Sequence, residues 1–163
     1  SGTKLHTVAN AVTFSNTTTE TDLFTFSLAG GTLGTANAVQ GRMTIGTLAG
    51  VSGTFTIRLK YGATTLTSSA ITLSSTYETG VYEFVLFGDG TTSAQEASDK
   101  WFSVREFTGA MGGTITGTHF VTASATSAID STSAQTLKVT GQFSNANASN
   151  AITVSDVVIT KIQ

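Results

Sequence analysis

The sequence predicts an all-β fold, an antiparallel β-sandwich of eight to ten strands, and three observations support this prediction. Apolar and polar residues alternate in short runs along almost the whole chain, as they do in strands with one buried face. The 163 residues include 33 Thr and 18 Ser, and Thr favours strands because its branched side chain fits a pleated surface. Breaks containing Gly or Asn recur every 8–15 residues, which is typical of antiparallel sandwiches.

Three segments in the first half of the chain have clear inner faces. They are residues 22–28 (DLFTFSL), 38–46 (AVQGRMTIG) and 53–61 (GTFTIRLKY), and each alternates as a single strand does. The predicted inner residues are Phe24, Phe26 and Leu28, then Val39, Gly41, Met43 and Ile45, and finally Phe55, Ile57, Leu59 and Tyr61.

The second half of the chain contains four further clear strands. Residues 81–88 (VYEFVLFG) are apolar on both faces except at Glu83, which predicts a central strand with Glu83 in a salt bridge or facing an edge. Residues 100–107 (KWFSVREF) set Phe102 and Val104 opposite Trp101, Ser103 and Arg105. Residues 136–144 (TLKVTGQFS) alternate with Leu137, Val139, Gly141 and Phe143 inward. Residues 151–162 (AITVSDVVITKI) close the chain as a long strand with an expected kink at residues 155–156.

Two segments are predicted to lie outside regular strands. Residues 93–102 (SAQEASDKWF) carry the one helical signal, an N-cap Ser93 followed three residues later by Glu96, and predict one or two helical turns. Residues 123–134 are rich in small side chains and predict a long loop that joins two strands.

The composition limits the class of protein. No linker divides the chain, so we expect one domain spanning residues 1–163, with residues 1–6 available as an extended N-terminal arm. The net charge is −2 and the eight basic residues are scattered, which argues against a nucleic-acid partner. No apolar run approaches the roughly 18 residues that span a bilayer, so we expect no membrane partner.

Candidate catalytic groups are few. His6 and His119 are the only imidazoles, and neither stands in a recognisable pattern with a nucleophile. The ten carboxylates are scattered without the fixed pairing that acid–base chemistry or a metal ion requires, and the chain has no Cys. We therefore expect a protein that is not an enzyme, with no catalytic residue, no metal ion and no cofactor.

Trp101 and Phe102 are candidate interaction residues. Trp101 is the only Trp of the chain, and with Phe102 it could form a platform on which a ligand stacks, as in many sugar-binding sandwiches. The alternative is that Trp101 packs in the core or in a subunit interface. The sequence leaves both interpretations open.

The low charge predicts self-association. Charged residues make up 11% of the chain, against about 25% in an ordinary soluble domain. Edge strands are normally protected by Lys or Pro, and this chain has no Pro. Flat, hydroxyl-rich faces with little repulsion are suited to permanent contact with other copies. The candidate arm residues for such contact are Ser1, Gly2, Thr3, Lys4 and Leu5.

Four segments carry a resemblance to a known group of proteins. They are TETDLFTFSL (Thr19 to Leu28), GTLGTANA (Gly31 to Ala38), RLKYGATTL (Arg58 to Leu66) and AIDSTSAQTLKVTGQFSNANASNAITV (Ala128 to Val154). With these segments the chain resembles jelly-roll structural proteins of tailed bacteriophage virions, of the capsid-decoration, head-fibre or tail-fibre type.

The resemblance implies a jelly-roll fold and a structural role on the particle surface. The implied partners are copies of the same chain, with a trimer expected, and other virion proteins such as a major capsid protein. An alternative is a carbohydrate-binding or host-receptor-binding module, which would use Trp101, Tyr77, Tyr82 or loop Asn residues to bind a host-surface glycan. A polysaccharide depolymerase is a third interpretation, and it lacks an identifiable acid–base pair.

Overall fold

Ten strands account for most of the chain. The computed structural model describes residues 2–73, 76–106, 118–121 and 127–162. For residues 9–11, 76–78, 102–106 and 118–121 it describes the backbone and not the side chains. The strands are β1 (Thr3–Ser15), β2 (Thr21–Leu28), β3 (Ala38–Gly50), β4 (Thr54–Tyr61), β5 (Thr64–Thr72), β6 (Thr76–Gly88), β7 (Gln95–Glu106), β8 (Thr118–Val121), β9 (Gln135–Phe143) and β10 (Ala151–Ile162). No helix occurs among the described residues.

The strands form two antiparallel sheets that pack face to face. The larger sheet has six strands in the order β1-β10-β3-β6-β7-β8, and the smaller has four in the order β2-β9-β4-β5. When β7 and β8 are set aside, the other eight strands have the order and connections of a jelly roll. The predicted all-β antiparallel sandwich is therefore confirmed, with β7 and β8 as an addition to one edge of the larger sheet.

The core lies between the inner faces of the two sheets. Alternate residues of β4 are fully buried, namely Phe55, Ile57, Leu59 and Tyr61, and this matches the predicted inner face. The inner faces predicted for β3 and β9 are buried as well. Full burial of a large apolar side chain contributes about 1.5–3 kcal/mol, so these alternating residues supply most of the stabilisation.

Bulges explain where simple alternation fails. In β2 both Leu23 and Phe24 are buried, because the register with β9 shifts between Asp22 and Phe24. Leu23, predicted to face outward, therefore points into the core. The kink expected at residues 155–156 is confirmed as a register shift of β10 against β3 between Val154 and Asp156.

The helical turns predicted over residues 93–102 are wrong. Gln95–Glu106 form strand β7, which pairs with β6 along its whole length. Gln95, Ala97, Asp99 and Trp101 are buried in alternation with more exposed neighbours, which is the period of a strand. The capping signal at Ser93 was outweighed by this long pairing with a central strand.

The N-terminal segment is part of the larger sheet. Thr3 and Lys4 pair with Lys161 and Thr160 of β10, so the backbone of this segment is hydrogen-bonded within its own chain. The extended arm predicted over residues 1–6 is therefore corrected: from Thr3 onward the segment is the start of edge strand β1. Ser1 lies outside the described residues.

The predicted loop at residues 123–134 is described from residue 127. Residues 128–134 lie outside strands, and Ser127 forms an isolated bridge to Gln95 at the start of β7. The buried side chain of Gln95 donates to the carbonyls of Thr92 and Ile129, and the Ser127 hydroxyl donates to its amide oxygen. These bonds hold this segment against the sheet.

Two strand glycines make room for phenylalanine rings. A Cβ at Gly41 in β3 would overlap the ring of Phe84, which is its direct neighbour on β6. A Cβ at Gly141 in β9 would lie 2.5 Å from the ring of Phe55. Each glycine thus allows a large ring to lie across the neighbouring strand within the core.

We predict that Gly41→Ala destabilises the fold by about 1–3 kcal/mol, because the added methyl forces the buried Phe84 ring out of place. The measurement is the free energy of unfolding in urea. Thr44→Ala, an outward change on the same strand, is the control and should cost well under about 1 kcal/mol. Equal stability of Gly41→Ala and the parent chain would contradict this packing.

Candidate functional site

A row of three charged side chains crosses the outer face of the six-stranded sheet. Arg42 of β3, Glu83 of β6 and Lys100 of β7 are direct cross-strand neighbours. Lys100 Nζ lies 2.7 Å from one carboxylate oxygen of Glu83, and Arg42 Nε lies 3.8 Å from the other. The central position of β6 and the salt bridge expected for Glu83 are both confirmed.

A groove lined by both polar and apolar residues lies beside this charged row. The next cross-strand row consists of Gln40, Val85 and Ser98, again on β3, β6 and β7. Together with Glu83 and Lys100 these residues line a groove of about 270 Å³. Phe84 and Asp99 also border it, although their own side chains are buried in the core. We call this feature the outer groove.

A second charged cluster lies on the outer face of the four-stranded sheet. Lys60 of β4 and Lys138 of β9 are direct neighbours, which would be repulsive without compensation. Glu20 pairs with Lys60 and lies 3.6 Å from Arg58, while Asp22 lies 3.2 Å from Lys138. Each acid therefore compensates the charge of one of the two lysines that the strand register brings together.

Glu20 is the best-held carboxylate of this cluster. The buried Thr140 hydroxyl donates to it over 2.6 Å. The hydrogen bond from Lys60, followed by the one from Thr140, holds the pKa of Glu20 below its usual value of 4.5. Burial acts in the opposite direction and is outweighed.

A buried hydrogen-bonded group links the two sheets at one side. Asp99 of β7 accepts bonds on a single carboxylate oxygen from Tyr82 of β6, at 2.6 Å, and from Thr67 of β5, at 2.5 Å. Burial, and then the neighbouring Asp99 charge, raise the pKa of Tyr82 well above its usual value, so the tyrosine stays a donor. The bond from Thr67 fastens β5 of one sheet to β7 of the other.

Trp101 and Tyr82, two of the aromatic residues considered for sugar stacking, are buried. Trp101 is only 3% exposed and Tyr82 1% exposed, so neither offers a ring face to solvent. Trp101 therefore has the core position that was the alternative interpretation, and its indole nitrogen has no partner among the described groups. The side chains of Tyr77 and Phe102 lie outside the description.

The remaining candidate residues lie at the edge of the larger sheet. Gly2, Thr3 and Lys4 are exposed, and Leu5 is partly buried against the core. The His6 ring stacks on Phe26 of β2 with the ring centres 4.9 Å apart, which gives it a packing role. The side chain of His119 lies outside the description.

The described residues form neither a metal-binding cluster nor a membrane-spanning helix. They contain no group of three or more His, Cys, Asp or Glu arranged to hold a metal ion. They also contain no helix with the length and apolar character needed to cross a membrane.

We predict that Glu20→Gln lowers the free energy of unfolding at pH 7 by up to about 1 kcal/mol, because Lys60 and Lys138 are then less well compensated. A lowered carboxyl pKa stabilises the fold above the unfolded-state value and loses this effect as pH falls through the folded-state value. The difference between variant and parent should therefore shrink below pH 4.5.

The measurement is urea unfolding at pH 7 and at several lower values. Asp156→Asn, an exposed carboxylate on β10, is the control. A difference that grows on acidification would contradict the proposed role of Glu20.

We also predict that Tyr82→Phe destabilises the fold by about 1–3 kcal/mol, because the buried Asp99 carboxylate loses one of its two donors. Ser68→Ala, which removes an exposed hydroxyl from β5, is the control. Thermal or urea unfolding of both variants tests this, and a Tyr82→Phe protein as stable as its parent would contradict it.

No family model and no curated protein sequence matches the chain. Among solved structures, the CBM2 module of the evolved Dit of Lactobacillus casei BL23 phage J-1 is similar, with a TM-score of 0.33 and 14% sequence identity. The similarity covers 83% of this chain and 67% of that chain. A similarity of this degree carries no conclusion about function.

Proposed function

We propose that the chain is a structural module of a bacteriophage particle that assembles with copies of itself as a trimer. It would decorate the capsid or extend from the capsid or tail, in contact with other virion proteins such as the major capsid protein. The role is mechanical and needs no catalytic group. The resemblance of the four sequence segments to phage jelly-roll proteins suggests the location, and the surface of the fold supports the assembly.

The observation that carries the proposal is the edge strand β5. It is the last strand of the four-stranded sheet, and its nine residues (TTLTSSAIT) include no charged residue and no proline. From Thr67 to Thr72 it follows β4 in unbroken register, so no bulge distorts this part of the edge. Such an edge normally attracts a further strand.

The edge strands β1 and β2 are better protected against pairing with a further strand. β2, at the opposite side of the same sheet, has Asp22 and a bulge. β1 has Lys4 and two shifts of register with β10. A contact between β5 of one copy and a different surface of the next is head-to-tail, and such contacts form a ring such as a trimer when the rotation between copies closes.

The charge distribution supports close contact between copies. Among the described side chains, five basic residues pair with acids, namely Arg42, Arg58, Lys60, Lys100 and Lys138. The paired charges offset one another locally and the net charge is only −2, so apolar and backbone contacts between copies face weak electrostatic opposition.

A second candidate function is recognition of a carbohydrate on the host surface. The outer groove favours it, because this groove places exposed polar side chains on the rigid centre of the larger sheet. Both functions are compatible on one module, since the groove and β5 belong to different sheets.

We predict that Ala70→Lys, which places a charge on the exposed part of β5, reduces the assembly to smaller species. Thr136→Lys is the matched control, since it places the same charge at an exposed position on strand β9 within the same sheet. The measurement is mass by light scattering after size exclusion. Equal effects of the two variants, or no effect of Ala70→Lys, would contradict assembly through β5.

Electron microscopy of particles tests the location. Antibody or gold labelling of this chain should mark regularly spaced positions on the capsid or tail surface. Particles without the label, from a host that expresses the chain, would contradict a virion role.

A further inference from the structure

We propose that the outer groove is a binding site for an uncharged saccharide unit, held by Gln40, Glu83, Ser98 and Lys100 above Val85. This inference deepens the second candidate function and rests on it. It does not depend on the trimer. The groove differs from the aromatic platform expected from the sequence, because it uses none of the chain's Trp or Tyr side chains.

The position of the groove excludes a peptide strand as the occupant. β6 pairs with β3 on one side and with β7 on the other, so its backbone donors and acceptors are already used. An added strand needs a free edge, and the groove lies on the face of the sheet instead. The occupant must therefore be recognised by side chains.

The lining matches the chemistry of a polyol. Lys100 donates, Glu83 accepts, and the Gln40 amide and Ser98 hydroxyl do both, so neighbouring sugar hydroxyls can be bonded in either sense. Val85 supplies an apolar floor for the C–H face of a sugar ring. Apolar surface combined with a few converging polar groups is the usual composition of a small-ligand site.

The charge balance favours an uncharged ligand. Glu83 lies between Arg42 and Lys100, and this row carries a net charge of only +1 from two cations and one anion. An anionic ligand would meet the Glu83 carboxylate, which is 23% exposed and faces the same groove. A neutral hydroxyl can instead donate to that carboxylate in a charge-assisted hydrogen bond.

The site is also held in place before a ligand arrives. Twelve consecutive residue pairs join β6 to β7, and two cations fix the orientation of Glu83. Little conformational freedom is then lost on binding. The volume of about 270 Å³ lies just under the range of about 300–1,000 Å³ for small-molecule pockets, which suits a single sugar unit of a longer chain.

The test is NMR titration of the purified chain with neutral oligosaccharides of glucose, galactose, mannose, rhamnose and N-acetylglucosamine. We expect at least one to shift the amide signals of Gln40, Val85 and Ser98. Glu83→Gln and Ser98→Ala should each weaken that binding about tenfold, as expected for the loss of a hydrogen bond to a buried or charged group.

Lys138→Met is the control, because it removes a paired lysine from the opposite sheet and should leave binding unchanged. Thermal unfolding of each variant shows whether it is folded.

Three results would overturn the proposal. The first is no shift of any amide signal with any of these sugars at concentrations up to about 10 mM, which is high enough to reveal weak binding. The second is binding that shifts amide signals of residues outside the groove. The chain would then recognise carbohydrate at another site, and the outer groove would not be the binding site. The third is binding only of sulfated or uronic oligosaccharides that salt abolishes, which would indicate an anion site. None of these results bears on assembly, which Ala70→Lys tests separately.

Discussion

The burial of two facing sets of apolar side chains is the constraint on which the rest of the structure depends. One face of each sheet is apolar, as the burial of alternate residues along β3, β4 and β9 shows, and the two apolar faces can leave water only by packing together. At one side of the sandwich Asp99 and Thr67 join the sheets by a buried hydrogen bond. At the other side His6 of β1 stacks on Phe26 of β2.

The same alternation places polar and charged side chains on the outer faces of the two sheets. Two groups of paired charges lie on the outer faces, one on each sheet. One group offsets a repulsion between Lys60 and Lys138 that the register creates. The other, centred on Glu83, also compensates two cations, Arg42 and Lys100, but it borders the outer groove as well. This contrast is the reason for assigning a structural role to the first group and a binding role to the second.

Much of the fold follows from local pattern, while the site does not. The inner residues of β4 and β9 could be identified because strict alternation leaves only one face apolar. The sequence does not reveal the bulge that buries Leu23, because an extra residue changes which face of the sheet a side chain points to without changing the composition. The first half of β7 carries a helical signal because a capping pattern is local, whereas its pairing with β6 is not. The outer groove depends on the register of three strands, two of them far apart in sequence, and no single segment reveals that Gln40 and Ser98 lie in one row.

We propose that this weakly charged sandwich is covered by copies of itself. Sedimentation of the unmodified chain over a wide concentration range, at low and high salt, tests it most directly. The account predicts a species of three times the 16.7 kDa chain mass whose assembly survives high salt, because screening weakens charge contacts and spares apolar and backbone contacts. A single-chain mass at every concentration, at both salt levels, would contradict it.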